Sequence, residues 1–278
     1  MTARDNDDPL VRAKTYPYFT PPHSYLLVNG AAYEIVEAGR DPTRDGRLRD
    51  GGRVAPAATV LHDLGVRGAP PLDERIAVLA HGSNAAPETL ARKYARFDED
   101  VVIPVIKARL AHFDVVYATH FSGYGSIPST LAASGETVAE IAVNFLTPHQ
   151  LALMHECELS ALNYVYGRLD GLDLALEGLG ALDAAHVYVT RHGYLGVTGA
   201  PLAFAAIAAR ARRFAQATKI EALGLARDHL APGCDLDAFI LENVRDARLR
   251  RARSDVLRRH AQPLALPGFE AVEPPLSR

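Results

Sequence analysis

The sequence predicts an α+β protein whose sheet curves into a small mixed barrel with flanking helices. Strand-like segments after Arg75 are separated by short glycine turns and not by regular crossover helices, which argues against a doubly wound parallel sheet. The segment TPHQ, which starts at Thr147, has the form of a capping box that opens a helix. Beyond Pro201 the pattern becomes helical, so we expect helices to dominate the C-terminal part of the chain.

Composition limits the classes of function. The chain has 278 residues, of which 48% are hydrophobic and 23% are charged, and its formal net charge is -3. This balance is ordinary for a globular protein and gives no general attraction to nucleic acid or to anionic lipid. The acidic start MTARDNDD is followed by no long apolar run, so we expect a cytoplasmic protein without a secretory signal or a membrane span. Cys157 and Cys234 are too few for a disulfide framework and lack the spacing of a zinc site.

Three regions are predicted along the chain. Residues 1–74 form a loop-rich N-terminal extension, because proline, glycine and charge predict turns there, with a strand near Tyr25–Val28 and a helix near Ala55–Leu64. Residues 75–195 form the main domain. Its predicted strands are RIAVLA, FDVVYATHF, TVAEIAVNFL, YVYGRLDGLDLALEGLG and AHVYVTRHGYLGV.

The C-terminal extension, residues 196–278, is predicted to be helical and to pack on the domain. One helix is expected through PLAFAAIAARARRFA, and a second is expected to open with a capping box at Thr218 to Glu221. A third is expected to run from about Asp235 to His260.

The junction HGSN, residues 81–84, is the first candidate site. It joins the strand RIAVLA to a pattern that places Leu90, Tyr94 and Phe97 on one helical face. A turn that leads into a helix N-terminus presents unpaired backbone N–H groups and attracts an anion. These residues are compatible with a carboxylate or phosphate site, but on their own they favour the alternative in which Asn84 only caps the helix.

Glu158 is the second candidate. In the helix TPHQLALMHECE, Leu151, Met154 and Glu158 share the face that should contact the core, whereas Glu156 points to nearly the opposite side. A carboxylate on the core side is paired, exposed by an early helix end, or held with a raised pKa that suits a general acid or base. The residues alone leave these alternatives open.

The motifs between Arg75 and Thr190 follow a recognisable order. After the strand and the Gly-Ser-Asn turn come IPSTL, SGETV, AEIAVNFL and MHECE. This order resembles the gamma-glutamylcyclotransferase-like family, which has a strand with a Tyr-Gly-Ser-Asn loop, an Ala-Thr-Ile/Leu strand, a Pro-Gly turn, a Val-x-Gly-x-Val-Tyr strand and a helix ending in Leu-Asp-x-x-Glu-Gly. Neither extension takes part in the resemblance.

The resemblance implies a cyclotransferase without metal or cofactor that acts on a small gamma-glutamyl amide or amine. The α-amine of such a substrate attacks its own γ-carbonyl, so 5-oxoproline and the free amine are released. Glu158 matches the catalytic glutamate that carries the proton. The implied substrate-binding residues are His81, Gly82, Ser83, Asn84 and Tyr164.

Three positions depart from the family pattern. His81 stands where the family usually has tyrosine, and Leu159 stands where glycine usually follows the glutamate. Ala139 and Glu140 interrupt the usual Val-x-Gly strand. These departures affect the expected substrate more than the expected fold.

Two other functions compete with the cyclotransferase. A non-catalytic module on the same fold would bind a small molecule or a partner, and it would leave Glu158 exposed or its cavity filled by side chains from the two extensions. A strand that ends in His81-Gly-Ser also resembles the start of small tetrapyrrole chelatases, in which the histidine meets the metal. Those proteins are doubly wound and carry the motif near the chain start.

The arginine-rich run RDARLRRARSDVLRRH bears on partners. Asp246 and Asp255 interleave with the arginines, which favours a solvated helix or a protein interface over nucleic-acid binding. We therefore expect no nucleic-acid or membrane partner, and a homodimer through the C-terminal helices is one expected assembly.

Overall fold

The structure is a computed structural model that describes residues 8–196 and 199–273. Within these ranges, no helix is both long and apolar enough to cross a membrane. The helices are α1 (Pro9–Thr15), α2 (Ala57–Asp63), α3 (Pro87–Lys93), α4 (Pro148–Leu159), α5 (Lys219–Leu230), α6 (Leu236–Arg245) and α7 (Ala247–Arg259). The strands are β1 (Tyr25–Val28), β2 (Ala31–Glu37), β3 (Arg47–Asp50), β4 (Arg53–Pro56), β5 (Ile76–Ala80), β6 (Val102–Tyr117), β7 (Ser129–Leu146), β8 (Tyr164–Leu176), β9 (Gly180–Thr190), β10 (Ala203–Phe204), β11 (Ala209–Arg210), β12 (Gln216–Ala217) and β13 (Phe269–Ala271).

Five of these strands close into a mixed barrel. They are neighbours in the order β7, β5, β9, β8, β6, and a pairing between β6 and β7 completes the ring. β5 runs antiparallel to β7 and parallel to β9. The α+β class and the mixed barrel with flanking helices are thereby confirmed, whereas the gamma-glutamylcyclotransferase-like type of fold stays a prediction.

The described residues separate into two compact units. The first unit comprises residues 8–18, 112–139 and 189–267, apart from 197–198, and the second comprises 19–111, 140–188 and 268–273. Each unit combines stretches that are distant in sequence. The predicted division at residues 75 and 196 is linear along the chain, and its bounds stay a prediction.

The N-terminal part of the second unit is more regular than the expected turns and loops. β1 and α2 lie close to their expected places, but β2, β3 and β4 extend β1 as an antiparallel meander, and β1 also pairs with β6. The turn between β1 and β2 is formed by Asn29 and Gly30, whose φ angles are 46° and 89°. This turn chemistry favours a two-residue hairpin, so the glycine-rich stretches are the tips of the meander.

An apolar cluster of the second unit surrounds the junction between β5 and α3. Strands, α3 and α4 all contribute to it. Its members include Tyr25, Val78, Leu90, Ile103, Leu151, Met154 and Tyr188. This cluster supports the ends of β5 and α4, where the two candidate sites lie.

The first unit corrects the prediction of a helix through residues 201–215. β10 pairs with β12 and with β6, and β11 pairs with β7, so short strands and turns occupy this stretch. Arg212 forms an ion pair of 3.0 Å with Asp114, whose side chain is fully buried. Sheet pairing and this ion pair override the helical propensity of the alanines and arginines.

The helices of the first unit agree with the sequence in part. The capping box at Thr218 and Glu221 is confirmed and opens α5. The single helix expected from about 235 to 260 is wrong, because Asp246 ends α6 and caps α7 by accepting hydrogen bonds from the backbone N–H of Arg248 and Leu249, each at 2.9 Å. Arg253 of the basic run is buried and donates to Asn243 at 2.9 Å, so part of this run faces inward.

Candidate functional site

The turn after β5 positions Asn84. Backbone bonds from Ala85 to Gly82 and from Ala86 to Ser83, at 3.1 and 3.0 Å, close a 3₁₀ turn over Ser83–Ala85. α3 begins afterwards at Pro87, and no side chain caps it. The alternative in which Asn84 only caps the helix is therefore wrong, and its side chain is available for other partners.

α4 positions Glu158. The predicted capping box is confirmed: Thr147 Oγ1 accepts from the N–H of Gln150, and Gln150 Oε1 accepts from the N–H of Thr147, both at 3.1 Å. Leu151 and Met154 are buried on one face of this helix. α4 continues through Leu159, so an early helix end that would release Glu158 into water is ruled out.

Asn84 and Glu158 meet. Asn84 Nδ2 donates a hydrogen bond of 3.0 Å to Glu158 Oε1. The same carboxylate oxygen accepts a short hydrogen bond from Lys93 Nζ, which also donates to Asn84 Oδ1 at 2.7 Å. The core-side carboxylate is thus paired, which was one of the three alternatives for Glu158.

The charge of Lys93 sets the ionisation of Glu158. Burial disfavours the carboxylate, but the Lys93 charge and the hydrogen bonds from Lys93 and Asn84 outweigh it, so the pKa of Glu158 lies below its usual value. The alternative of a raised pKa is therefore wrong in this arrangement. The side chains of Lys93 and Glu158 keep 16% and 17% of their surface exposed, so the pair is not fully closed off from solvent.

His81 lies beneath the turn and does not contact solvent freely. It follows β5, is 7% exposed, and its Nε2–H donates to the Tyr188 carbonyl oxygen at 3.1 Å. Burial lowers the pKa of His81, and the Tyr188 carbonyl and the Glu158 charge oppose this shift only in part. The imidazole is therefore neutral at neutral pH and ties the end of β5 to β9.

Tyr164 lies at the first position of β8 and packs against the apolar cluster that contains Met154. Among the described residues, the hydrogen bonds to Glu158 come from Asn84 and Lys93 and not from Tyr164. A different tyrosine, Tyr188, senses the Glu158 charge, since burial and then this charge raise its pKa. The Tyr188 hydroxyl is joined to Nδ1 of buried His155 by a hydrogen bond of 2.8 Å.

Two residues near the candidate site, Lys93 and Asn144, are not predicted from the sequence. One feature of the sequence could have indicated Lys93. It lies three positions after the buried Leu90, so it is next to the inner face of α3. Asn144 is 1% exposed, and its Nδ2 donates to the Asn84 carbonyl oxygen at 3.0 Å. Its Oδ1 has no hydrogen-bond partner among the described residues. No sequence signal marks Asn144, because β7 has polar residues on both faces.

A separate recess of the second unit has a volume of about 750 Å³. Arg67, Arg75, Phe97 and Asp100 contribute to its lining, which includes none of the predicted site residues. Asp100 is already engaged by the N–H of Arg67 and by Asn29, at 3.1 and 3.2 Å. These bonds hold the surrounding loops in place.

The chelatase alternative requires a histidine that meets a metal and a doubly wound sheet. Over residues 8–196 and 199–273, no group of three or more His, Cys, Asp or Glu side chains could hold a metal ion. The sheet is a barrel in which antiparallel pairs predominate, whereas the chelatase alternative requires a doubly wound sheet. Comparisons of the chain with protein families, with curated proteins and with solved structures find no match.

Proposed function

We propose that the second unit catalyses cyclotransfer on a gamma-glutamyl amide or amine and releases 5-oxoproline. The observation that carries this proposal is the 3.0 Å hydrogen bond from Asn84 to Glu158. The motif resemblance assigns one residue to the substrate loop and the other to proton transfer. Their direct contact supports a shared site for both roles.

The proposed reaction is an intramolecular acyl transfer. The substrate α-amine forms a bond to the γ-carbonyl carbon, and the bond from that carbon to the leaving nitrogen breaks. Because the nucleophile belongs to the substrate, the protein has only to hold a folded conformer and move a proton. The α-nitrogen loses two protons between the ammonium and the lactam. Glu158 takes one of them and returns it to the leaving nitrogen, and the other passes through solvent to the released amine.

The charge state of Glu158 supports the first proton transfer. The pairing with Lys93 and Asn84 keeps the carboxylate ionised at neutral pH, which is the form that accepts a proton, while the lowered pKa makes it a weaker base than a glutamate with a pKa near neutral pH. The backbone N–H groups of Ser83 and Asn84 lie in the same turn, while those of Ala85 and Ala86 are used within it. We assign the former pair to the substrate α-carboxylate or to the developing oxyanion.

A panel of substrates tests the proposal. The purified protein is incubated with gamma-glutamyl amino acids, gamma-glutamyl amines and glutathione, and 5-oxoproline is measured by mass spectrometry. We expect release from at least one panel member and its loss by about 10²- to 10⁴-fold in Glu158→Gln. The preferred panel member identifies the amine that leaves.

A non-catalytic binding module is the second candidate. It is favoured by one observation: Lys93 of the chain itself contacts both Glu158 and Asn84. Binding of panel compounds by calorimetry without 5-oxoproline release, from folded protein, would support this function. It would also exclude cyclotransfer on those compounds.

A further inference from the structure

The Lys93 ammonium lies among three acceptors. Its Nζ donates to Glu158 Oε1 by a short bond, to Asn84 Oδ1 at 2.7 Å and to the Met154 sulfur at 3.4 Å. A primary ammonium has three N–H donors and no acceptor. The number and the chemistry of these groups therefore match one ammonium, and we call them, without Lys93, the ammonium recess.

The ammonium recess is held by bonds that do not involve Lys93. Asn84 is oriented by its own donation to Glu158 at 3.0 Å, and its backbone carbonyl accepts from Asn144 at 3.0 Å. Met154 is 1% exposed and belongs to the apolar cluster. The acceptors are thus expected to keep their places when Lys93 leaves. The unpartnered Oδ1 of Asn144 adds a buried acceptor beside Asn84, which also suits a ligand that donates hydrogen bonds.

Lys93 can leave when another cation takes its place beside Glu158. It is the last residue of α3, and its side chain is 16% exposed. A cation beside the carbonyl end of a helix is stabilised by about 0.3–1 kcal/mol, so the ammonium has a favourable position in water nearby. The four-carbon stem of lysine is flexible enough to move between the two positions.

We infer that Lys93 is an internal occupant of the ammonium recess, and that a ligand binds by placing its own primary ammonium there and displacing Lys93. The identity of that ligand, a compound with a free α-ammonium, rests on the proposed function. The displacement makes Lys93 a specificity-determining residue. An N-acylated compound has no ammonium and cannot compete with Lys93, so it is rejected.

Refilling the recess with a small amine tests this inference without any turnover. Lys93→Ala removes the atoms that n-propylamine would replace. We expect n-propylamine, which is protonated at pH 7.5, to raise the thermal midpoint of this variant saturably, by about 5 °C or more at 100-fold excess over Kd. n-Propanol has the same shape without the charge and should give no saturable shift.

Two variants control for general effects of the amine. Arg92→Ala removes a neighbouring cation of α3 that pairs with Glu88 at 3.6 Å, and it leaves Lys93 in the recess. Lys93→Ala combined with Glu158→Gln keeps the space and removes the anion. Neither variant should respond to n-propylamine. An equal response in all three variants would overturn the inference.

A second measurement uses the wild-type chain, in case Lys93→Ala does not fold. The ¹³Cε resonance of Lys93 is followed while L-glutamate or N-acetyl-L-glutamate is added. L-glutamate carries the α-ammonium but no scissile amide, and we expect it to shift this resonance towards that of a solvated lysine. N-acetyl-L-glutamate should leave the resonance unchanged, and a Lys93 resonance unmoved by saturating L-glutamate would overturn the inference. If the amine fills the recess while the substrate panel yields no 5-oxoproline, the cyclotransferase fails and the ammonium recess stands.

Discussion

Asn84 and Glu158 are 74 positions apart in the chain, and a hydrogen bond of 3.0 Å joins them. Asn84 also accepts from Lys93, so its amide orders both charged groups. The pair brings the turn after β5 and the end of α4 into one site. Several consequences of this arrangement can be measured.

Asn84→Asp tests whether the amide N–H donor of Asn84 is needed, because aspartate has nearly the same shape but no such donor. Asn84→Asp keeps the shape but replaces the donor with a second carboxylate beside Glu158. Like charges at this distance disfavour ionisation, so we expect the pKa of Glu158 to rise and 5-oxoproline release at pH 7.5 to fall by at least about tenfold. Carboxylate titration by NMR and the kinetics check both effects. Unchanged values of both in Asn84→Asp would show that the amide has no role.

Lys93→Met should reverse the pH dependence that Glu158 contributes to stability. In the wild type the pKa of Glu158 is lowered, so its contribution is present above the unfolded pKa and is lost as pH falls through the folded pKa. Without the ammonium, burial remains and raises the pKa, so protonation then favours the folded state. We expect Lys93→Met to lose about 3 kcal/mol at pH 7 and to recover part of it as pH falls towards 5.

Urea unfolding at several pH values checks this expectation. Arg92→Met is the matched control, because Arg92 forms an exposed pair with Glu88 on the same helix. Such pairs contribute less than about 1 kcal/mol. A loss in Lys93→Met that is as small as the control's, or that grows as pH falls, would refute the assigned electrostatics.

The capping boxes of α4 and α5 are expected to contribute similarly to the stability of the chain. Thr147→Ala and Thr218→Ala each remove a side-chain acceptor at the start of a helix, in α4 and α5 respectively. Each change should cost about 1 kcal/mol. For a chain of this size we expect thermal midpoints to fall by about 2–4 °C. Unaltered midpoints in calorimetry would mean that neither box contributes to stability.

Arg75 is expected to be essential for the sheet around β5. It is 8% exposed and donates to the carbonyl oxygens of Pro70, Val102 and Phe145 at 3.0, 2.7 and 3.2 Å. A lysine ammonium cannot span these positions, so Arg75→Lys loses some of these bonds, at about 1–3 kcal/mol for each carbonyl left without a donor. Chemical unfolding measures the loss. A loss below about 1 kcal/mol would contradict this role.

Lys219 should make the stability of the chain rise with pH. Its buried Nζ lies over the rings of Tyr16, Tyr117 and Phe204, 4.6, 4.5 and 4.2 Å from their centroids, and donates to the Ile127 carbonyl. Burial lowers the pKa of Lys219 well below its ordinary value. The unfolded state therefore binds more protons, and stability increases as pH rises towards the unfolded pKa.

The comparison with Lys219→Met isolates this effect. We expect the difference in unfolding free energy, wild type minus variant, to increase between pH 7 and pH 9.5. Unfolding curves at these two pH values measure it. A constant or decreasing difference would contradict the assigned direction.

The sequence predicts those elements whose signals are local. The capping boxes at Thr147 and Thr218 depend on residues three apart, and both are present. The β2–β4 meander contains a hairpin signal, Asn29-Gly30, but the proline, glycine and charged residues around it favour loops and conceal the strands. The helix expected over 201–215 fails for the opposite reason. Its alanines favour a helix locally, and pairing with distant strands decides the outcome.

The candidate site also contains residues that local signals predict and residues that they do not. Helical periodicity predicts Glu158 on the inner face of α4, and the motif resemblance links it to the turn that contains Asn84. Lys93 was missed because a lysine at a helix C-terminus is ordinarily solvated. Its contact with Glu158 depends on how α3 and α4 pack, and no pattern in a single sequence reports that geometry.

The most direct test of the proposed function compares two glutamines in one helix. Glu158→Gln and Glu156→Gln make the same chemical change in α4, on the paired inner residue and on an exposed residue of the other side. With the best substrate of the panel, we predict that kcat/KM for 5-oxoproline release falls by about 10²- to 10⁴-fold in Glu158→Gln and stays within about twofold of wild type in Glu156→Gln. Equal activity in both variants, or no release of 5-oxoproline by the folded wild type, would contradict the account.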